Sequence, residues 1–283
     1  MKEIYIIIVF ICVIFIISMI YCYLKIDVET FNIKDNKIDK NIKLMFLSDL
    51  HNRKIYNKLI DIINTEKPDI IIYGGDMINE SLNKINNFLK LVNLVNDYKT
   101  YYTFGDHEEK IENEYYEKYI DIINNTKKII LLNNKSDKLS NNITINGLCA
   151  DKDTYKKFGK IGLSKEYIED KLGKIDKTKY NILVAHNPLE FASYVQTEYD
   201  LVLSGHIHGG VIMIPLLGAV LSPNYTLFPK YYNGIYKKND TTMIVSRGIG
   251  FSRRLPFRIF DTPHVVIINL KKWLNEIFFL QNY

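Results

Sequence analysis

The chain has 283 residues, 47% apolar and 24% charged, with 14 Gly and 7 Pro, values that fit a globular protein and exclude collagen-like, low-complexity and disordered classes. With 37 basic and 32 acidic residues the formal charge is +5, too even to indicate nucleic acid, and no nucleic-acid partner is expected. Cys12 and Cys22 fall in an apolar run and only Cys149 lies beyond it, so neither a disulfide framework nor a Cys-based zinc site can form in the main domain.

Residues 4–24 carry no charge and one clearly polar side chain, Ser18. A helix of that length, rising about 1.5 Å per residue, reaches roughly 31 Å, the hydrocarbon thickness of a bilayer. Residues 1–25 are therefore read as an N-terminal, single-pass membrane anchor and 26–283 as one domain. The rival is a cleaved signal peptide, which would be shorter and end on small residues, whereas this run ends with Tyr21, Tyr23 and Leu24. Lys2 precedes the run while Lys25, Lys34, Lys37, Lys40 and Lys43 follow it, favouring a cytosolic domain, yet long domains translocate largely regardless of such charges. The side of the membrane stays open.

Beyond the anchor, IKLMFL at 42–47 reads as a buried strand entering the polar turn SDLH. Apolar residues at helical spacing over 55–63 predict a helix closed by Pro68, and IIIY at 70–73 predicts a strand running into GGD. The pattern repeats: a helix over 85–95, then TYYTF at 100–104 running into GDHE. Strand, polar turn and helix in that order argue an α/β domain with functional groups at the carboxyl ends of strands. Further strands are predicted at 128–132, 143–147, 180–186, 201–206, 242–246 and 264–270. The stripe Trp273, Ile277 and Phe278 reads as core packing, and IMIPLLGAVL at 212–221 as an apolar loop.

The histidines are not scattered. Asp49 and His51 (SDLH), Asp76 (GGDM), Asp106 and His107 (GDHE), His186 (AHNP), and His206 and His208 (SGHIHGG) all follow strand-like runs. Imidazole and carboxylate without thiolate suit Zn, Mn or Fe in a reactive rather than a closed structural site. Seven ligand side chains exceed what one metal with an open position needs, so two divalent ions are expected, an arrangement that hydrolyses phosphate esters.

These motifs, in this order, resemble the signature of the calcineurin-like metallophosphoesterases. The resemblance covers about residues 40–270 and is nearest the bacterial branch that carries an N-terminal anchor or signal, through GHIHGGVIMIP, LFPKY at 227–231 and VSRGIG at 245–250. It implies a four-layer sandwich, two central mixed sheets packed face to face with helices outside, behind the transmembrane helix. It also implies Asp49, His51 and His208 on one metal, Asp76 bridging, and His186, His206 and residue 106 on the other, with His107 near the leaving-group oxygen as the catalytic acid or charge stabiliser. One departure stands out: the family pattern has Asn where this chain has Asp106, which lowers the charge of the metal centre by one unit.

Four of the five arginines fall between 247 and 258 in a chain that otherwise uses Lys. Arg53, Arg247, Arg253 and Arg254 are candidates for binding a phosphate through the guanidinium fork, or else belong to solvated loops. His264 matches no motif and is expected at the surface or at a strand end. The function expected is a membrane-anchored, two-metal phosphoesterase acting on a phosphomonoester, phosphodiester or pyrophosphate, of a small molecule or a lipid. The alternative is a non-catalytic metal-binding scaffold of the same fold, a reading that Asp106 invites.

Overall fold

The computed structural model describes residues 1–95, 97–126, 128–151 and 162–273. Helix α1 (Lys2–Leu24) is apolar on every face and almost wholly exposed. By length and composition it could cross a membrane, as a signal sequence also could. Ser18 and Cys22, four residues apart and so on one face, are its buried residues. That face docks on the domain: the Phe260 N–H donates to Ser18 Oγ at 2.7 Å, Phe15 meets Phe260 edge-on, and Tyr23 stacks on Phe251.

The chain then runs through β1 (Asp27–Asp35), β2 (Ile42–Leu47), α2 (Tyr56–Glu66), β3 (Ile70–Tyr73), α3 (Ile85–Leu94), β4 (Lys99–Tyr102), α4 (Asp106–Glu109), α5 (Asn113–Asn124) and β5 (Ile129–Leu131). It continues with β6 (Lys135–Lys138), β7 (Ile143–Leu148), α6 (Lys165–Leu172), β8 (Tyr180–Ala185), α7 (Phe191–Gln196) and β9 (Leu201–Ser204). Last come β10 (Ile212–Ile214), β11 (Gly218–Leu221), β12 (Gly234–Lys238), β13 (Thr241–Val245) and β14 (His264–Lys272).

Two mixed six-stranded sheets result, ordered β1-β14-β2-β3-β4-β5 and β12-β13-β9-β8-β7-β6, with β10-β11 as a separate hairpin. Alternation along buried strands sends side chains to both faces. Leu44, Phe46, Ile72 and Tyr101 of the first sheet meet Ile145, Ile182, Val184, Leu203 and Ile244 of the second in the central core. On the outer face of the first sheet Met45, Leu47 and Tyr73 pack under Leu59, Phe88, Val92 and Tyr119 of the helices. Leu183, Val202 and Met243 pack against Ile168, Phe191 and Tyr194 on the far side. The molecule is thus the expected four-layer α/β sandwich.

Strands at 42–47 and 70–73 coincide with the sequence reading, and the other predicted strands differ only at their ends. The apolar stretch at 212–221 is a hairpin rather than a loop. Ile277 and Phe278 lie outside the described residues, and Trp273 at their edge is half exposed rather than core. The sheets approach closely at Gly147 of β7, where an added Cβ would meet the Leu132 carbonyl at 2.4 Å and Thr103 Oγ1 at 2.5 Å. Gly147→Ala is expected to destabilise the chain by about 1–3 kcal/mol through overpacking, lowering the thermal midpoint of the detergent-solubilised chain by roughly 2–4 °C per kcal/mol. An unchanged melting curve would contradict the tight sheet-to-sheet contact.

Candidate metal centre

All seven side chains expected to hold metal lie where parallel strands end. β2 leads to Asp49 and His51, β3 to Asp76, and β4 to Asp106, all from the first sheet; β8 leads to His186 and β9 to His206 and His208 from the second. The turns are stitched by backbone bonds: Asp49 N–H donates to the Gly75 carbonyl, His51 N–H to that of Asp76, and Gly205 N–H to that of His186, each at 3.0 Å. Asp49, His51, Asp76, His206 and His208 have φ between 48° and 73°. Non-glycine residues seldom adopt this left-handed region, and its concentration here is backbone strain held by the surrounding fold. At Gly205 the backbone passes so near Asp49 that a Cβ would lie 2.4 Å from its carboxylate.

The seven candidate ligand atoms fall into two adjoining groups, Asp49, His51 and His208 in one and Asp76, Asp106, His186 and His206 in the other, and a third grouping joins His51 and Asp76 to His107, with atoms within 4.8 Å of one another in each. Neighbouring groups set the tautomers. His186 Nδ1 lies 2.7 Å from the Gly74 carbonyl and must donate to it, leaving the Nε2 lone pair aimed into the site; His51 Nδ1 stands likewise 2.7 Å from Asn79 Oδ1. His186 Nε2 and Asp106 Oδ1 are buried and face only other candidate ligand atoms, Asp76 Oδ2 at 3.1 Å and His206 Nδ1 at 2.9 Å. Such atoms in a set of imidazoles and carboxylates fit divalent cations.

Electrostatics agree. Burial, then the neighbouring Asp106 charge, raises the Asp76 carboxyl well above its usual range. Burial opposes a charge on His186, but the carboxylates of Asp76, Asp49 and Asp106 outweigh it and push its pKa up. Burial also works against an ionised Asp106, which His206, His107 and Lys110 nonetheless hold well down. A pocket so short of positive charge suits cations. Lys110 ion-pairs with the second Asp106 oxygen from one helical turn away, so the extra charge at this position has a partner.

Above the cluster opens a cavity of about 550 Å³, with His107, Glu80, Lys110, Asn224, Arg253 and Arg254 among its lining residues. His107 Nε2 stands 3.9 Å from Asp76 Oδ2. Burial and the nearby His51 lower its pKa to about 2, so the ring is neutral near pH 7. Of the four arginine candidates the structure brings two to the cavity. Arg253 pairs with Glu80, and Arg254 donates to Asn224 Oδ1 at 2.9 Å. The other two are elsewhere. Arg53 donates to the carbonyls of Ile249 and Tyr23, its guanidinium 4.4 Å from the centre of the Phe251 ring. Arg247 faces His264 and Asp27. His264 does begin a strand but is fully buried, its ring 3.0 Å from Glu29, because β1 covers β14.

Two site residues escaped the sequence reading. Arg258 is buried, donates to the His208 carbonyl at 3.1 Å and pairs with buried Asp261 at 2.7 Å. Burial, with His51 and the Arg258 guanidinium close by, holds the His208 pKa well down, which favours the neutral ring that binds metal. Glu108 is also fully buried, and its two oxygens accept from the backbone N–H groups of Asp76, Met77, Ile78 and Gly105 at 2.7–3.2 Å. Its place three residues after Gly105, as in a capping box, was the signal available.

The sequence pattern of the calcineurin-like phosphoesterases matches residues 42–210. A Helicobacter pylori protein named as an uncharacterized metallophosphoesterase is 31% identical over 245 residues, 83% of this chain and 61% of that one. Another so named, from Campylobacter jejuni, is 30% identical over 262 residues, covering 87% and 62%. A third, from Aquifex aeolicus, is 27% identical over 261 residues, covering 86% and 91%. The chain thus spans about three fifths of the length of the first two relatives.

Glu108→Gln keeps the shape but turns an amide N–H₂ toward backbone donors. Each N–H left without an acceptor costs about 1–3 kcal/mol, so the thermal midpoint should fall by several degrees and metal retained through dialysis should drop. Retention of full metal and an unaltered melt would show that the carboxylate does not hold these turns together.

Proposed function

This chain belongs to the calcineurin-like phosphoesterase family, and from that premise we propose that it is a membrane-anchored hydrolase using two divalent cations, Mn, Fe or Zn, to cleave a phosphomonoester, phosphodiester or pyrophosphate bond. Residues 1–25 are taken as the anchor and 26–283 as the catalytic domain. The observation that carries the reading is the position of one oxygen: Asp76 Oδ2 lies 3.1 Å from His186 Nε2 and 3.8 Å from His51 Nε2, between the two ligand groups. A carboxylate so placed suits a bridge, with Asp49, His51 and His208 on one side and Asp106, His186 and His206 on the other. When bound, divalent cations polarise a phosphoryl oxygen and lower the pKa of water.

The chain's own residues divide the remaining work. His107, neutral and on the cavity wall, offers an N–H to the leaving-group oxygen where charge develops. Arg253 and Arg254 at the rim take the non-reacting phosphate oxygens or the ester group beyond them. Asp106, paired with Lys110, would hold a cation with a formal charge that an Asn would lack. Ser252 and Arg253 on the cavity wall directly follow Phe251, which stacks on Tyr23 of α1, and this link to the anchor favours a phosphorylated lipid among the candidate substrates.

The deciding assay is a hydrolysis screen of the detergent-purified chain with Mn, Fe or Zn against monoesters, diesters, nucleotide pyrophosphates and phospholipids. Asp76→Asn should lower the content of both metals and abolish turnover. His107→Ala should leave the metals bound and slow turnover by about 10²–10³-fold. Metal loss in His107→Ala, or a full complement in Asp76→Asn, would contradict the assigned roles. Asp106→Asn should need more metal for half-maximal activity while holding or raising the rate at saturation; superimposable metal titrations would mean that Asp106 is no ligand.

A further inference from the structure

The surface beside α1 has an unusual composition. Between His208 and Lys230 there is no Asp, Glu, Lys or Arg, in a chain with 24% charged residues. This stretch holds the hairpin β10–β11, whose tip projects Leu216, fully exposed, with Leu217 at 60%; Leu227 and Phe228, just beyond the hairpin, are 64% and 59% exposed. An apolar cleft of about 520 Å³ joins this surface to the helix, lined by Ile14, Ile17 and Tyr21 from α1 and by Pro215, Phe260 and Thr262 from the domain.

The contacts set a depth. Counted at about 1.5 Å per residue, Ser18 lies roughly 9 Å and Ile14 roughly 15 Å up the helix from Leu24. Half a hydrocarbon core is about 15 Å thick. If α1 crosses a bilayer with Leu24 at the boundary, Phe260 cannot remain in water, since it is bonded to Ser18 and packed on Phe15 in the part of the helix inside the leaflet, and Pro215 lines the same cleft as Ile14 and Ile17. Immersion demands that backbone polar groups be paired within the protein, and here several are. The N–H of Phe260 donates to Ser18 Oγ, that of Met213 to Ile259, that of Ile259 to Val211, that of Leu217 to Ile214 and that of Phe228 to Val220. At the level of Leu24 the surface turns basic: Arg53 and Lys58 donate to the Tyr23 and Leu24 carbonyls, with Lys54 and Lys84 in the same cleft, as suits lipid phosphates.

We propose that the β10–β11 hairpin, with Leu227, Phe228 and Phe260, enters the acyl region of the leaflet that α1 leaves, the occupant of this apolar face being lipid. The inference rests on the anchor reading above and goes beyond it: the domain is partly immersed. Pro223 and Asn224, which line the metal-centre cavity, lie between the hairpin and Leu227, so the mouth of that cavity is held at the headgroups.

The test uses the whole chain in a Trp273→Phe background, which removes the sole tryptophan. Leu216→Trp, Phe10→Trp and Leu94→Trp, the last an exposed residue at the end of α3, are each reconstituted into phosphatidylcholine–phosphatidylglycerol vesicles with ordinary or brominated acyl chains. The expected result is a blue shift and loss of most emission with brominated lipid for Leu216→Trp and Phe10→Trp, and neither for Leu94→Trp. Quenching of Phe10→Trp alone would overturn the hairpin proposal and leave the anchor intact. Quenching of neither would overturn both. A concentration-dependent blue shift at position 216 without quenching would mean that a second copy covers the face, and would overturn the lipid assignment. As a second measure, Leu216→Asp with Leu217→Asp should leave bis-p-nitrophenyl phosphate hydrolysis unchanged while weakening the adhesion of the domain face to vesicles, read as increased protease access to the hairpin; unchanged protection would also overturn the proposal.

Discussion

A carboxylate sealed from water, Glu108, braces the turns that carry the candidate metal ligands Asp76 and Asp106. Among the described residues no Lys or Arg pairs with Glu108, and its charge is met by backbone N–H groups from two separate turns, those of Asp76, Met77 and Ile78 after β3 and that of Gly105 after β4. A buried anion is tolerable only when its lone pairs are filled, and a carboxylate has sites for about four donors. Removing any one of the donating turns would expose the charge; removing the charge would orphan the turns. The mutual dependence fixes Asp76 and Asp106 relative to each other before any metal arrives. The neighbouring Asp49 turn is joined to the same assembly through Gly75, and His206 is joined to Asp49 by its N–H at 3.0 Å.

The two sheets divide the ligands between them, and this explains why the sandwich must be tightly packed. A displacement of one sheet against the other would separate His186 and His206 from the carboxylates of the first sheet. The central core, built of Ile, Leu, Val and a few aromatic residues, is therefore also the support of the site. Left-handed backbone at five of seven ligand positions is held by the same framework. Strain of this kind persists only where the surroundings over-determine the chain.

Much of this was legible in the residues. Continuous apolar runs such as IKLMFL and IIIY sit in sheet interiors, where both faces are covered and the signal is strong. Edge strand β1 was not foreseen, because its alternating half-buried and exposed residues lie against one neighbour only, β14, and its sequence DVETFNIKD is mostly polar. The hairpin at 212–221 was hidden by its own apolar character, which lacks the polar turn residues that usually mark one. In the site, the candidate ligand side chains announce themselves as Asp and His beside Gly at strand ends. Glu108 and Arg258 act on backbone groups and carbonyls brought near by the fold, and Arg258 lies 50 residues from the histidine it supports. The arginine cluster was visible, but its division between cavity rim, ring stack and buried ion pair was set by tertiary packing alone.

The junction between helix and domain has a consequence of its own. α1 ends at Leu24 and β1 begins at Asp27, and the helix is also bonded sideways through Ser18 and stacked through Tyr23. Two intervening residues reach at most about 7 Å, so there is no tether on which the domain could swing. On the reading that α1 spans a bilayer, the cavity keeps a constant height and heading above the lipid, like a plough blade on a fixed beam. A substrate held in the same leaflet would then be met by a search in two dimensions, governed by lateral diffusion rather than by diffusion through the bulk.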